Sequence, residues 1–124
     1  MSLTEDRIDA IERKYVRSVR DILVLTLTDE FLRLVLWLHD GTTLRVAERW
    51  RMQAHKKVLV RYSYYWLDAQ NQLKIGWDNV PHHAQMVNFP HHKHIEQQDN
   101  VEPSHETSLE QVMVIVLAES ETHL

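Results

Sequence analysis

Apolar positions recur along this chain with two periods, and the changes of period divide it into elements. Ile8, Ile11, Tyr15 and Val19 return every three or four residues, the spacing of one helix face. Ser2 and Glu5 offer that helix a capping box, in which each covers a backbone N–H left open at the first turn. Period-two alternation then takes over. It runs through Ile22–Thr28, where Leu23, Leu25 and Leu27 alternate with Val24 and Thr26. In Phe31–Leu38 it places Leu32, Leu34, Leu36 and Leu38 on one face, and in Thr42–Trp50 it turns Leu44 and Val46 inward. Asp40-Gly41 between these two strands reads as a two-residue type I′ hairpin turn. Val58–Leu67 sets Val58, Val60, Tyr62, Tyr64 and Trp66 on a shared face. After the polar turn Asp68–Asn71, Gln72–Asp78 returns with Leu73, Ile75 and Trp77.

From Asn79 to Thr107 neither period survives, and all three prolines lie there, so this stretch reads as a long loop. Beyond it Leu109, Val112, Met113, Val116 and Leu117 mark an amphipathic helix, with Ser108 and Gln111 as its capping box. The expected architecture is α+β: a five-stranded antiparallel meander with an N-terminal and a C-terminal helix packed on one face. A single domain is expected over 1–124, with a His-rich loop at about 79–107.

Composition narrows the classes of function. A hydrophobic share of 44% with only 2 glycines and 3 prolines belongs to a folded domain. The absence of cysteine removes disulfides, thiol nucleophiles and cysteine-held zinc. The start, Met1–Arg7, shows no basic region followed by an apolar stretch, and no run is long enough for a membrane helix, so a cytoplasmic location is expected. The net charge of −4 hides a local excess of base: Arg45, Arg49, Arg51, Lys56, Lys57 and Arg61 stand against Glu48 alone.

Candidate chemistry lies in the loop. His82, His83, His91, His92 and His94 are carried by two blocks, Asp78-Asn79-Val80-Pro81-His82-His83 and Phe89-Pro90-His91-His92-Lys93-His94. Each proline fixes φ near −65° and stiffens the delivery of the histidines that follow. Imidazoles titrate near neutrality, so one can accept a proton while another donates one, as cleavage of RNA through its own 2′-hydroxyl requires. Asp78, His82, His83, His91, His92, Lys93 and His94 are the candidate catalytic residues. Lys93, Arg61 or Arg49 would supply a cation beside the phosphorane. Arg49, Arg61, Tyr65 and Trp77 are candidate substrate contacts, through phosphates and stacked bases.

On this reading no cofactor is needed. Asp78, His82, His91 and His94 form the alternative, a site for a divalent metal such as zinc, manganese or iron, although their spacing matches no strong template. Bland readings compete with both. The Tyr62–Trp66 stripe is equally a strand's core face, Asp78-Asn79 a strand-ending turn, and the basic stretch a solvated edge.

The two blocks together resemble the TumE family of toxin–antitoxin toxins, whose members carry Arg-Tyr-Asp-Asn-Ala-Pro-His-His followed by Phe-Pro-His-His-Lys-His. The resemblance implies a small α+β toxin encoded beside a helix-turn-helix antitoxin. It further implies arrest of growth by cleaving RNA or blocking the ribosome, as an endoribonuclease or translation inhibitor. It carries no settled residue roles. One position departs: Gly76-Trp77 stands where relatives have Arg-Tyr, so any phosphate contact of that arginine passes to Arg61 or Lys93. The alternative is a non-catalytic recognition or metal-binding module acting through the histidine loop. A homodimer is an allowed assembly in either case.

Overall fold

The computed structural model describes residues 2–80 and 90–121. Helix α1 (Leu3–Tyr15) leads into strands β1 (Asp21–Leu27), β2 (Phe31–Trp37), β3 (Thr43–Gln53), β4 (Lys56–Leu67), β5 (Leu73–Asp78), β6 (His92–Ile95) and β7 (Val101–Pro103). Helix α2 (Leu109–Glu121) follows. The strands form one antiparallel meander in chain order. The fold is therefore α+β as expected, but the sheet has seven strands and not five. The extra two lie in the stretch read as loop. They are short, and β6 alternates a buried with a half-buried histidine or lysine rather than apolar with polar, so hydropathy gives no signal for them.

Turn chemistry also differs from expectation at one hairpin. Of Asp40 and Gly41 only Gly41 has positive φ, at 88°, so the turn is not type I′. The loop spans three residues, His39 to Gly41, and Leu38 N–H donates to the Thr42 carbonyl at 2.9 Å. The positive-φ pair that a two-residue turn requires is instead Ala54 and His55, at 49° and 64°, between β3 and β4. Neither residue is a customary turn former, so the twist of two long paired strands imposes the conformation.

One face of the sheet is the core. Leu32, Leu34, Leu36, Leu44, Val46, Tyr62, Tyr64, Trp66 and Trp77 pack there against Ile8, Ile11 and Tyr15 of α1 and Leu109, Val112, Met113 and Val116 of α2. Ser2 caps α1 as expected, its hydroxyl accepting from Glu5 N–H at 3.1 Å, and Ser108 caps α2 by accepting from Gln111 N–H at 3.3 Å. Within this apolar layer sits a single carboxylate, Glu48, with 0% exposure. Its Oε1 accepts from Arg7 Nε at 2.8 Å and Trp50 Nε1 at 3.0 Å. Its Oε2 accepts from the Tyr64 hydroxyl at 2.6 Å and Arg7 Nη2 at 3.0 Å. Arg7 also pairs with Glu110, so one guanidinium ties α1 and α2 to β3. The opposite face of the sheet carries no helix among the described residues.

Removing the Glu48 carboxylate leaves Arg7 buried without its main counter-charge, a change that costs about 3–5 kcal/mol. Glu48→Ala is expected to lower the free energy of urea unfolding by that amount, and a loss below about 1 kcal/mol would show the network to be incidental. Burial pushes the Glu110 carboxyl up, but its hydrogen bond and charge pairing with Arg7 outweigh this and hold it below the usual range. A carboxyl lowered on folding contributes stability above its unfolded pKa and loses it as pH falls through the folded value. The Tm difference between wild type and Glu110→Gln should therefore shrink on going from neutral to strongly acid pH.

Candidate functional site on the open face

Outside the bulge at Arg49/Trp50, beyond which Leu59 of β4 turns to the core, alternation sends odd-numbered residues of β2 to β4 and even-numbered residues of β5 and β6 to the face without helices. The registers align them into two rows. One runs Arg33, Ala47, Ser63, Asp78, His92; the other runs Val35, Arg45, Tyr65, Gly76, His94. Toward β6 these rows bring three chemical side chains together. His92 Nε2 lies 2.7 Å from Asp78 Oδ1, and His94 Nε2 lies 3.0 Å from Asp78 Oδ2. All three residues are buried, at 1% exposure for Asp78, 2% for His92 and 3% for His94. The imidazole rings meet edge to face, with centroids 4.9 Å apart.

Each imidazole also has its outer nitrogen engaged. His92 Nδ1 lies 2.9 Å from the Pro90 carbonyl and His94 Nδ1 lies 2.7 Å from the Gln98 carbonyl. A carbonyl can only accept, so both Nδ1 atoms carry hydrogen and both Nε2 atoms face the carboxylate. Tyr65 completes the group by donating its hydroxyl to Asp78 Oδ2 at 2.8 Å. Burial and that hydrogen bond push the Tyr65 hydroxyl well above the usual tyrosine pKa, which keeps it a donor. His-x-His on a strand delivers both rings to one face, and Asp78 pairs directly with His92 across the ladder. These three residues are the set among those described whose donor atoms could hold a metal ion, all lying within 4.8 Å of one another.

The neighbouring residues account for the geometry. Asn79 staples the end of β5 to β4: its Oδ1 accepts from Tyr62 N–H at 2.8 Å and its Nδ2 donates to the Val60 carbonyl at 3.3 Å. Asp78 is thereby held in line instead of entering a loose turn. Gly76 leaves open the space that the Tyr65 ring occupies, since a Cβ there would stand 2.2 Å from Tyr65 Cδ1. The departure at Gly76 is thus the feature that lets Tyr65 lie across β5 and reach Asp78.

Several of the candidates named from the sequence fall elsewhere. His82 and His83 lie outside the described residues. His91 turns to the helix-covered face, where its ring stacks on Tyr62 and its Nδ1 lies 2.9 Å from the Tyr62 hydroxyl. His91 and His94 of the alternative metal set thus face opposite sides of the sheet, and it is His92 that lies with His94 at Asp78, because the period of a strand separates neighbours and unites alternate residues. Lys93 pairs opposite the core residue Trp77 and approaches Glu102 at 3.9 Å, away from Asp78. Trp77 is only 5% exposed within the core, so it presents no ring to a base. Arg49 stacks over Phe31, and Arg61 donates to the Asn79 carbonyl at 2.8 Å beside the site.

Adjoining the cluster is a groove of about 500 Å³ lined by Leu25, Arg33, Arg45, Ala47, Ser63 and Tyr65. Arg33 and Arg45 are exposed and form no ion pair among the described residues. Arg33 carried no signal by itself; only its place in a row with Ser63 and Asp78 marks it. Among the described residues no helix is long and apolar enough to cross a membrane.

The fold and site define a small α+β protein with one face of a meander sheet stabilised by helices and the other left open to carry polar chemistry. Residues 4–124 match the family model described as Toxin TumE, and the chain belongs to that family. Membership in a toxin family implies an antitoxin partner. No curated protein and no solved structure matches the chain.

Gly76→Ala must displace the Tyr65 ring, and overpacking of this kind costs about 1–3 kcal/mol. The cost should largely vanish when Gly76→Ala is made in a Tyr65→Ala background, where nothing remains to collide. Equal destabilisation in both backgrounds, measured by chemical unfolding, would show that the ring does not occupy the space over Gly76.

Proposed function

We propose that this toxin acts on RNA as an endoribonuclease. The open-face groove grips a single-stranded sugar–phosphate backbone and presents a phosphodiester at the Asp78–His92–His94 end. One observation carries the reading: two exposed arginines, Arg33 and Arg45, line a groove whose far wall is Tyr65, the side chain bonded to Asp78. Guanidinium groups pair with phosphate oxygens, and a row of them along a groove follows a polyanion regardless of base sequence. Arg61, held by the Asn79 carbonyl next to Asp78, adds a further positive charge near the cluster. The overall charge of −4 does not oppose this, because at physiological salt the field is felt over about 8 Å. On this reading an antitoxin, which the resemblance makes a helix-turn-helix protein, holds the activity in check.

The test is to induce the toxin without its antitoxin and follow growth and total RNA. Wild type should arrest growth with fragmented RNA, whereas Asp78→Asn and His94→Ala should leave both unaffected. Arg33→Ala and Arg45→Ala should weaken binding to a single-stranded oligonucleotide and each reduce the slope of log affinity against log salt by about 1. Growth arrest with intact RNA would remove the nuclease reading and assign the face to recognition without turnover.

A further inference from the structure

We infer that Asp78, His92 and His94 form a binding site for a single first-row divalent transition ion of the zinc type. The inference deepens the functional reading above, whose reactive end is this same cluster, but the binding itself does not depend on RNA. It starts from hydrogen-bond bookkeeping. With each Nδ1 at a carbonyl, both Nε2 atoms are turned toward the Asp78 carboxylate, at 2.7 and 3.0 Å. These ligand atoms all lie within 4.8 Å of one another in a site at most 3% exposed, and together they make a mixed nitrogen and oxygen donor set. A single metal ion seated among them can take all three as ligands.

The dimensions agree. A tetrahedral ion with ligand bonds of about 2.0–2.1 Å separates its donor atoms by about 3.3 Å. The contacts of 2.7 Å to Oδ1 and 3.0 Å to Oδ2 of Asp78 lie a few tenths of an ångström short of that distance, and all three ligand atoms lie within 4.8 Å of one another, so small side-chain movements bring them to it. The surroundings are those of a metal site too. Each imidazole is oriented by a carbonyl on its outer nitrogen, and the carboxylate is oriented by the Tyr65 hydroxyl. Two imidazoles among three ligands favour zinc, iron, cobalt, nickel or copper over magnesium and calcium, which take oxygen donors. Three protein ligands leave a coordination position over, as in metal sites that bind water or substrate, whereas purely structural zinc sites have four protein ligands. Asp78, His92 and His94 are ligands on this account, and Tyr65 positions one of them.

The experiment uses the full chain without a histidine tag, stripped with chelator and titrated with Zn²⁺ against a chromophoric competitor. Co²⁺ uptake followed by visible absorption gives a second readout. One ion per chain is expected. Asp78→Asn and His94→Ala should abolish high-affinity uptake, while Tyr65→Phe should weaken it about 10–100-fold and keep the stoichiometry. Circular dichroism confirms that each variant is folded. The milder Tyr65→Phe decides the matter if the ligand variants fail to fold. Absence of stoichiometric uptake by folded wild type overturns the inference, as does uptake that Tyr65→Phe and His94→Ala leave unchanged. An ion that binds while RNA stays intact retains this site and removes the nuclease. RNA cleavage by chelated, metal-free protein retains the nuclease and removes the ion from its chemistry.

Discussion

The structure depends on one buried carboxylate. Glu48 lies in the middle of an otherwise apolar layer, and four hydrogen bonds from Arg7, Trp50 and Tyr64 satisfy it. Arg7 comes from α1, and its other arm reaches Glu110 of α2. A greasy interface alone fixes which faces meet but tolerates sliding of the helices. A bidentate guanidinium allows one placement only, because a charge moved off its partner in this layer would be stranded. Both helices are thereby committed to the same side of the sheet, and the other side is left for polar chemistry.

This division explains the distribution of residue types. The even positions from Leu32 to Leu36, Leu44 to Glu48 and Tyr62 to Trp66 carry Leu, Val, Tyr and Trp, with Glu48 the exception. The odd positions carry Arg33, Arg45, Ser63 and Tyr65. The open face then grades along the sheet, from exposed leucines on β1 through the arginine-lined groove to the buried cluster at β6. A stiff sheet sets the distances between these parts, so the groove and the cluster hold a fixed separation.

Most of this was legible in the sequence where burial imposes a period. The five longer strands, both helices and both caps follow from alternation, helical spacing and the Ser-to-Glu and Ser-to-Gln pairings. The short strands β6 and β7 were not legible, because histidine and lysine at alternate positions carry no hydropathy contrast. That omission mixed the histidines: read as loop, His91 and His92 are equivalent, whereas on a strand one faces the core and the other faces Asp78. Asp78 and His94 were recognisable from the two motifs. Arg33 and Gly76 were not recognisable as parts of a site, since their significance comes from cross-strand neighbours.

The donor set is created by register. Asp78 meets His92 and His94 only because β6 pairs with β5 in one alignment, which the Glu96 amide holds by donating to the Lys74 carbonyl at 2.8 Å. A slip of one residue would bring His91, Lys93 and Ile95 to the open face and scatter the imidazoles. A nascent or partly folded chain therefore carries Asp78, His92 and His94 without the cluster, which comes into being only when the last long strand has found its short partner.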